Sequence, residues 1–134
     1  MNKIERACVI DDDPICVFGI KKILKKVGFC NEIIVFKNGF EAINGLKDLL
    51  KQNKPLPQII FLDLNMPIMD GWDFLEDFIK IPNANRTYVA IYIISSSLDP
   101  RDLEKVKEYS SVTNYLIKPI TSEKIDTVIG EYLN

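Results

Sequence analysis

The sequence predicts an α/β fold: a doubly wound, five-stranded parallel sheet assembled from five strand–helix units, (βα)5. Three observations carry this reading. Short apolar stretches rich in β-branched residues recur along the chain, as in strands covered on both faces. Stretches with helical spacing separate them. Strand and helix then alternate five times, and right-handed crossovers turn that order into a parallel sheet with helices on both faces.

The first strand is predicted at residues 7–10, and Cys16, Ile20, Ile23, Leu24 and Val27 follow at helical spacing until Gly28 supplies a stop. The second strand is read at 33–36, followed by a helix marked by Ala42, Ile43, Leu46, Leu49 and Leu50. The third, 59–62, runs straight into Asp63, and Phe74, Leu75, Phe78 and Ile79 mark the helix after it. The fourth, 89–94, precedes a helix entered through Asp99-Pro100 as cap and first-turn residue and carrying Leu103 and Val106. The fifth, 112–117, leads to a helix with Ile125, Val128, Ile129 and Tyr132, capped by Thr121 or Ser122. The segments "KQNKPLPQ" and "IPNANRTY" read as loops inside this pattern rather than linkers. The expectation is one domain over 1–134 with no output domain.

Composition narrows the function classes. A net charge of −2 argues against nucleic acid as the main partner. The longest apolar run, "YVAIYII", is far too short to span a bilayer, and the early charges after Glu5 do not fit a signal peptide. The 3 cysteines, Cys8, Cys16 and Cys30, lack metal-ligand spacing and read as reduced, mostly buried residues of a cytoplasmic protein. The chain has 0 histidines, so its chemistry must run on carboxylates, hydroxyls, lysine and a metal.

Ligands of an open α/β sheet bind outside the carboxyl ends of the strands. Those ends carry Asp11, Asp12 and Asp13, then Asp63, then Ser95, Ser96 and Ser97, then Lys118-Pro119; the second strand ends in the less telling Lys37-Asn38. Each has an innocent explanation alone. Asp13 before Pro14 is a good helix cap, the serines suit a loop, and Lys118 could be solvated. Asp63, at the end of an apolar strand, is hardest to dismiss. Two unit charges about 4 Å apart repel by roughly 4 kcal/mol at an effective dielectric near 20, so Asp11, Asp12 and Asp63 in one crevice need compensation. Mg²⁺ and the Lys118 ammonium supply it, and Mg²⁺ suits a site of oxygen ligands without His better than Zn²⁺ does. Asp63 is then placed as a nucleophile toward phosphorus, with charge neutralisation by Mg²⁺, Lys118 and Ser95.

The stretches "VIDDDP", "FLDLNMPIMDG", "IISSS" and "YLIKP" resemble the signature regions of response-regulator receiver domains of two-component signalling, CheY-like proteins, and the likeness covers essentially the whole chain. The resemblance implies a flavodoxin-like, CheY-like sheet with strand order 2-1-3-4-5. It implies that Asp63 accepts a phosphoryl group from a phosphohistidine on a sensor histidine kinase or histidine phosphotransfer protein. Asp11, Asp12 and Asp63 would hold Mg²⁺ together with the backbone carbonyl of Asn65. Ser95 would hydrogen-bond the phosphoryl group, Lys118 would pair with it, and Tyr115 would turn inward as Ser95 moves, altering the surface read by a downstream protein target. The Lys118-Pro119 bond would be cis. Position 95 is Ser where Thr is commoner in the family, and Ser96 stands where Ala is common; Asn65 and Ser97 sit where the family tunes phosphoaspartate lifetime. Such a module is expected to catalyse only its own phosphorylation and dephosphorylation.

Two other readings stand beside this one. An Mg²⁺-dependent phosphohydrolase with Asp63 as nucleophile would usually need an acid–base carboxylate two residues later, where this chain has Asn65. An interaction domain with a vestigial site would not need the full set of side chains that is present. Lys21, Lys22, Lys25 and Lys26 read as a solvated helix face, with docking of a kinase as the sharper option alongside Pro14, Ile15 and Phe18. Core packing explains Phe18 almost as well. Trp72 is expected to be a partly buried helix-start residue, and Met66-Pro67 to serve loop geometry.

Overall fold

The computed structural model describes residues 4–82, 88–97 and 99–133. The chain alternates β1 (Ile4–Ile10), α1 (Pro14–Val27), β2 (Cys30–Phe36), α2 (Gly39–Lys51), β3 (Ile59–Asp63), α3 (Gly71–Phe78), β4 (Ala90–Ser95), α4 (Pro100–Val106), β5 (Val112–Ile117) and α5 (Ser122–Leu133). The strands form one parallel sheet in the order β2-β1-β3-β4-β5, the topology expected. The "IPNANRTY" loop falls largely on 83–87, outside the described residues.

Alternate residues of the central strands feed two cores. Cys8, Ile10, Ile60, Leu62, Ile91 and Ile93 face one side, where α2 and α3 add Ala42, Ile43, Leu46, Phe74 and Leu75. Ala7, Val9, Ile59, Phe61, Tyr92 and Ile94 face the other, where α1 and α5 add Ile20, Leu24, Ile125, Val128 and Ile129. This two-sided cover explains why β3 and β4 are buried at every position. It does not extend to the edges. β2 and β5 are partly exposed along their length, because each has a neighbour on one side only.

The first two strands start earlier than their apolar runs. Ile4 pairs with Cys30 and Arg6 with Glu32 in the ladder, and the Arg6 guanidinium meets Glu32 at 2.9 Å. That ion pair lets charged residues lie in a strand that hydrophobicity alone would start later. Helix ends follow the sequence signals. Asp13 accepts from the Ile15 N–H, Asp99 and Asp102 form a reciprocal capping box, and the Thr121 hydroxyl accepts from the Lys124 N–H. Gly28 ends α1 at φ 70°, in the left-handed region where a Cβ is unfavourable. The cysteines are less uniformly buried than expected: Cys8 is enclosed, Cys16 and Cys30 only partly. No helix among the described residues is long and apolar enough to cross a membrane.

Candidate functional site

The parallel sheet delivers its polar strand ends to one edge. Asp11 follows the last residue of β1, and Asp63 closes β3, its neighbour. Carboxylate oxygens of Asp11, Asp12 and Asp63 all lie within 4.8 Å of one another. Lys118, just past β5, reaches back across β4: its Nζ is 2.9 Å from Asp11 Oδ2 and 3.8 Å from Asp63 Oδ2. The Asp11 side chain is 0% exposed, that of Asp63 7% and that of Lys118 16%. Asp12 and Asn65 lie at the exposed mouth. The three acids and the lysine that the sequence singled out therefore converge.

Burial is the main influence on Asp63, and the negative charge of Asp11 adds to it; together they push its carboxyl up to about 7 against the relief offered by Lys118. For Lys118, burial pulls the ammonium down, yet the Asp11 carboxylate and the charge of Asp63 outweigh it and hold the group above its ordinary value. One oxygen of Asp11 accepts from the Asp13 N–H at 2.9 Å. The other, Oδ2, is buried and accepts no aligned hydrogen bond among the described residues, and the Lys118 ammonium 2.9 Å away offsets its charge. A buried, under-coordinated carboxylate oxygen beside two more carboxylates is the donor set a hard divalent cation takes.

Ser95 is the last residue of β4 rather than the residue after it, paired in register with Ile117. Its carbonyl accepts from the Lys118 N–H at 2.8 Å, which ties the two site residues together through backbone. Its hydroxyl points into its own loop, donating to the Ser97 carbonyl at 2.8 Å. Tyr115 is 39% exposed on β5, not turned inward. Asn65 donates its N–H toward Asp63 Oδ1 at 3.5 Å. The Lys118-Pro119 peptide is cis.

Several contributors were not visible in the sequence. Gly71 lets α3 start hard against β3: a Cβ there would lie 2.5 Å from the Asp63 carbonyl oxygen. The Lys124 ammonium donates to the carbonyls of Ile117 and Pro119, pinning the turn that carries Lys118. Cys16 lies beside Asp11; burial first, then that carboxylate, push its thiol up to about 12, so it stays protonated at neutral pH. A cleft of about 500 Å³ opens beside the acids, lined by Asp13, Ile15, Cys16, Ser96, Lys118 and Pro119. Next to it Ile15 is 82% exposed and Phe18 67%, so Phe18 is a surface residue and not core.

Residues 7–130 match the response regulator receiver domain family. The chain belongs to that family. This receiver domain is 32% identical to a two-component response regulator from Cytophaga hutchinsonii, whose structure superposes with a TM-score of 0.87 over 99% of both chains. It is 29% identical over 126 residues to the transcriptional regulatory protein HptR of Staphylococcus aureus, covering 93% of this chain and 45% of that protein. The receiver domain thus spans about half the length of the first curated relatives it matches. A CheY in complex with CheX, BeF3 and Mg from Borrelia burgdorferi shares the fold at 20% identity and a TM-score of 0.79. Receiver domains of two-component signalling are in general signalling modules rather than enzymes and bind Mg²⁺ at an acidic pocket, and this chain has an acidic cluster of Asp11, Asp12 and Asp63.

Proposed function

We propose that this receiver, taken as one unit over residues 1–134, accepts a phosphoryl group on Asp63 from a phosphohistidine of a cytoplasmic sensor histidine kinase or histidine phosphotransfer protein. The supporting observation is the placement of Lys118 against both Asp11 and Asp63, at 2.9 and 3.8 Å, within a cluster of three carboxylates. Asp11, Asp12 and Asp63 would hold Mg²⁺, with the Asn65 backbone carbonyl as a further ligand. The ion would neutralise charge on the carboxylates and on the incoming phosphoryl oxygens. An Asp63 oxygen forms the P–O bond as the donor's P–N bond breaks, and the electron pair leaves with the imidazole nitrogen. Lys118 stays charged throughout and pairs with a peripheral phosphoryl oxygen. Ser95 gives up its bond to the Ser97 carbonyl and donates to another. Tyr115 follows inward, which changes the surface that a downstream protein reads.

Incubation with phosphoramidate and Mg²⁺ should give an acid-stable, base-labile adduct that mass spectrometry places on Asp63. Asp63→Asn should abolish it, and Lys118→Ala should slow labelling and weaken the surface change. Continuous turnover of generic phosphate esters would favour a hydrolase instead, and no adduct on the wild-type chain would overturn the reading.

A further inference from the structure

Helix α4 is weakly anchored. None of its seven residues, all of them described, is fully buried. Val106 packs partly buried against the sheet core, and a small group of side chains holds the helix against α3. Lys105 Nζ sits 4.6 Å from the centroid of the Trp72 ring. Tyr109, in the turn after α4, lies against the same indole with ring centroids 5.9 Å apart. Its hydroxyl donates to Glu76 Oε1 on α3 at 2.5 Å. The two ends of this contact are tied to different parts of the site. On the α3 side, the Gly71 N–H donates to the Leu64 carbonyl at 3.0 Å and Gly71 abuts the Asp63 backbone, so Trp72 is fixed to β3. On the other side, Ser97 and the helix cap Asp99 are separated by a single residue in sequence, and the Asp99–Asp102 capping box closes the first turn of α4.

We propose that Trp72, Lys105, Tyr109 and Glu76 form a latch that clamps α4 to α3 in the unphosphorylated receiver and opposes phosphoryl capture at Asp63. The inference rests on the phospho-acceptor reading of Asp63. For the Ser95 hydroxyl to reach a phosphoryl group on Asp63 it must leave the Ser97 carbonyl, and the loop it leaves with carries α4. Trp72 cannot follow, because α3 is packed onto β3. The contact that slips is the one between them. A cation over an indole and one surface hydrogen bond are weak enough to break reversibly. By linkage, whatever loosens the latch favours the loaded state by the same factor.

The chain has 1 tryptophan, so its emission reads the latch directly. The receiver is titrated with beryllium fluoride in excess Mg²⁺ while Trp72 emission is followed, and phosphoramidate labelling is read by mass spectrometry in parallel. Wild-type emission should change on loading. Tyr109→Phe keeps the ring and removes the hydroxyl; Glu76→Gln weakens the same bond from its other end. Both should load at about three- to tenfold lower beryllium fluoride. Either variant suffices, provided its thermal midpoint shows it folded. Unchanged wild-type emission while Asp63 is labelled, or folded variants that load at the wild-type concentration, overturns the latch alone. No label on the wild-type chain overturns the phospho-acceptor reading and the latch with it.

Discussion

Asp63 is a buried acid beside a second buried acid, and the cost shows in its titration. Its carboxyl is raised from 3.8 to about 7, so the folded protein holds a proton that the unfolded chain releases earlier. The stabilisation is fully present below about pH 4 and is lost as pH rises through about 7. Metal-free protein should therefore melt at a lower temperature at pH 8 than at pH 5.5. Asp63→Asn should raise stability at pH 8 by about 1–2 kcal/mol, allowing for the relief by Lys118 and solvent, and by less at pH 5.5. Differential scanning calorimetry at the two pH values checks the sign. Ile68 offers a second case. A β-branched residue at φ 69° and 82% exposed is strained without gaining any burial. Ile68→Gly should stabilise by about 1 kcal/mol in urea titration, since without a Cβ a positive φ carries no steric cost. Asp11, Asp63 and Lys118 were legible in the sequence because each interrupts or ends an apolar strand. The direction of the Ser95 hydroxyl was not, because it depends on a loop carbonyl that no spacing rule points to.

Helices show the same division between local signals and tertiary contact. Asp13, Asp99 and Thr121 were readable as caps because capping is a matter of neighbours a few residues apart. The early starts of β1 and β2 were not, since Arg6 and Glu32 look like solvent-facing residues until the strands are paired. Nor was the cluster of Trp72, Lys105 and Tyr109, which joins two helices with no shared periodicity. Glycines inside helices expose the limits of propensity. At Gly130 in α5 an added Cβ meets nothing within 4 Å, so Gly130→Ala should stabilise by about 0.5–1 kcal/mol. At Gly71 in α3 it would meet the backbone of Asp63 and Leu64 at 2.5 and 2.9 Å, so Gly71→Ala should destabilise by about 1–3 kcal/mol despite the better helix former. Chemical denaturation of the pair gives opposite signs if helix-on-strand packing decides.

At the scale of the whole molecule, a metal held by the acidic cluster would be coupled to folding. Two of the three carboxylates follow β1 and the third closes β3, and these strands are neighbours only in the assembled sheet. Mg²⁺ should therefore bind the folded chain alone and raise the melting temperature with the logarithm of its concentration, by about 2.7 kcal/mol at a hundredfold excess over the dissociation constant. Asp11→Asn should remove most of that response; a full Mg²⁺ shift in this variant would place the ion elsewhere. The parallel order of strands and helices was legible from alternation and handedness alone. The uneven cover of the sheet was not: an apolar run reads the same in β5 at the edge as in β4 at the centre, although the residues of β5 are largely exposed.

Lys118 leans on Asp11 from just past β5, so the charged site is complete only when the last strand has docked. A truncated or half-assembled chain would present acids without their counter-charge. On the phospho-acceptor reading proposed above, a chain cut before β5 should therefore label poorly with phosphoramidate even though all three acids are present.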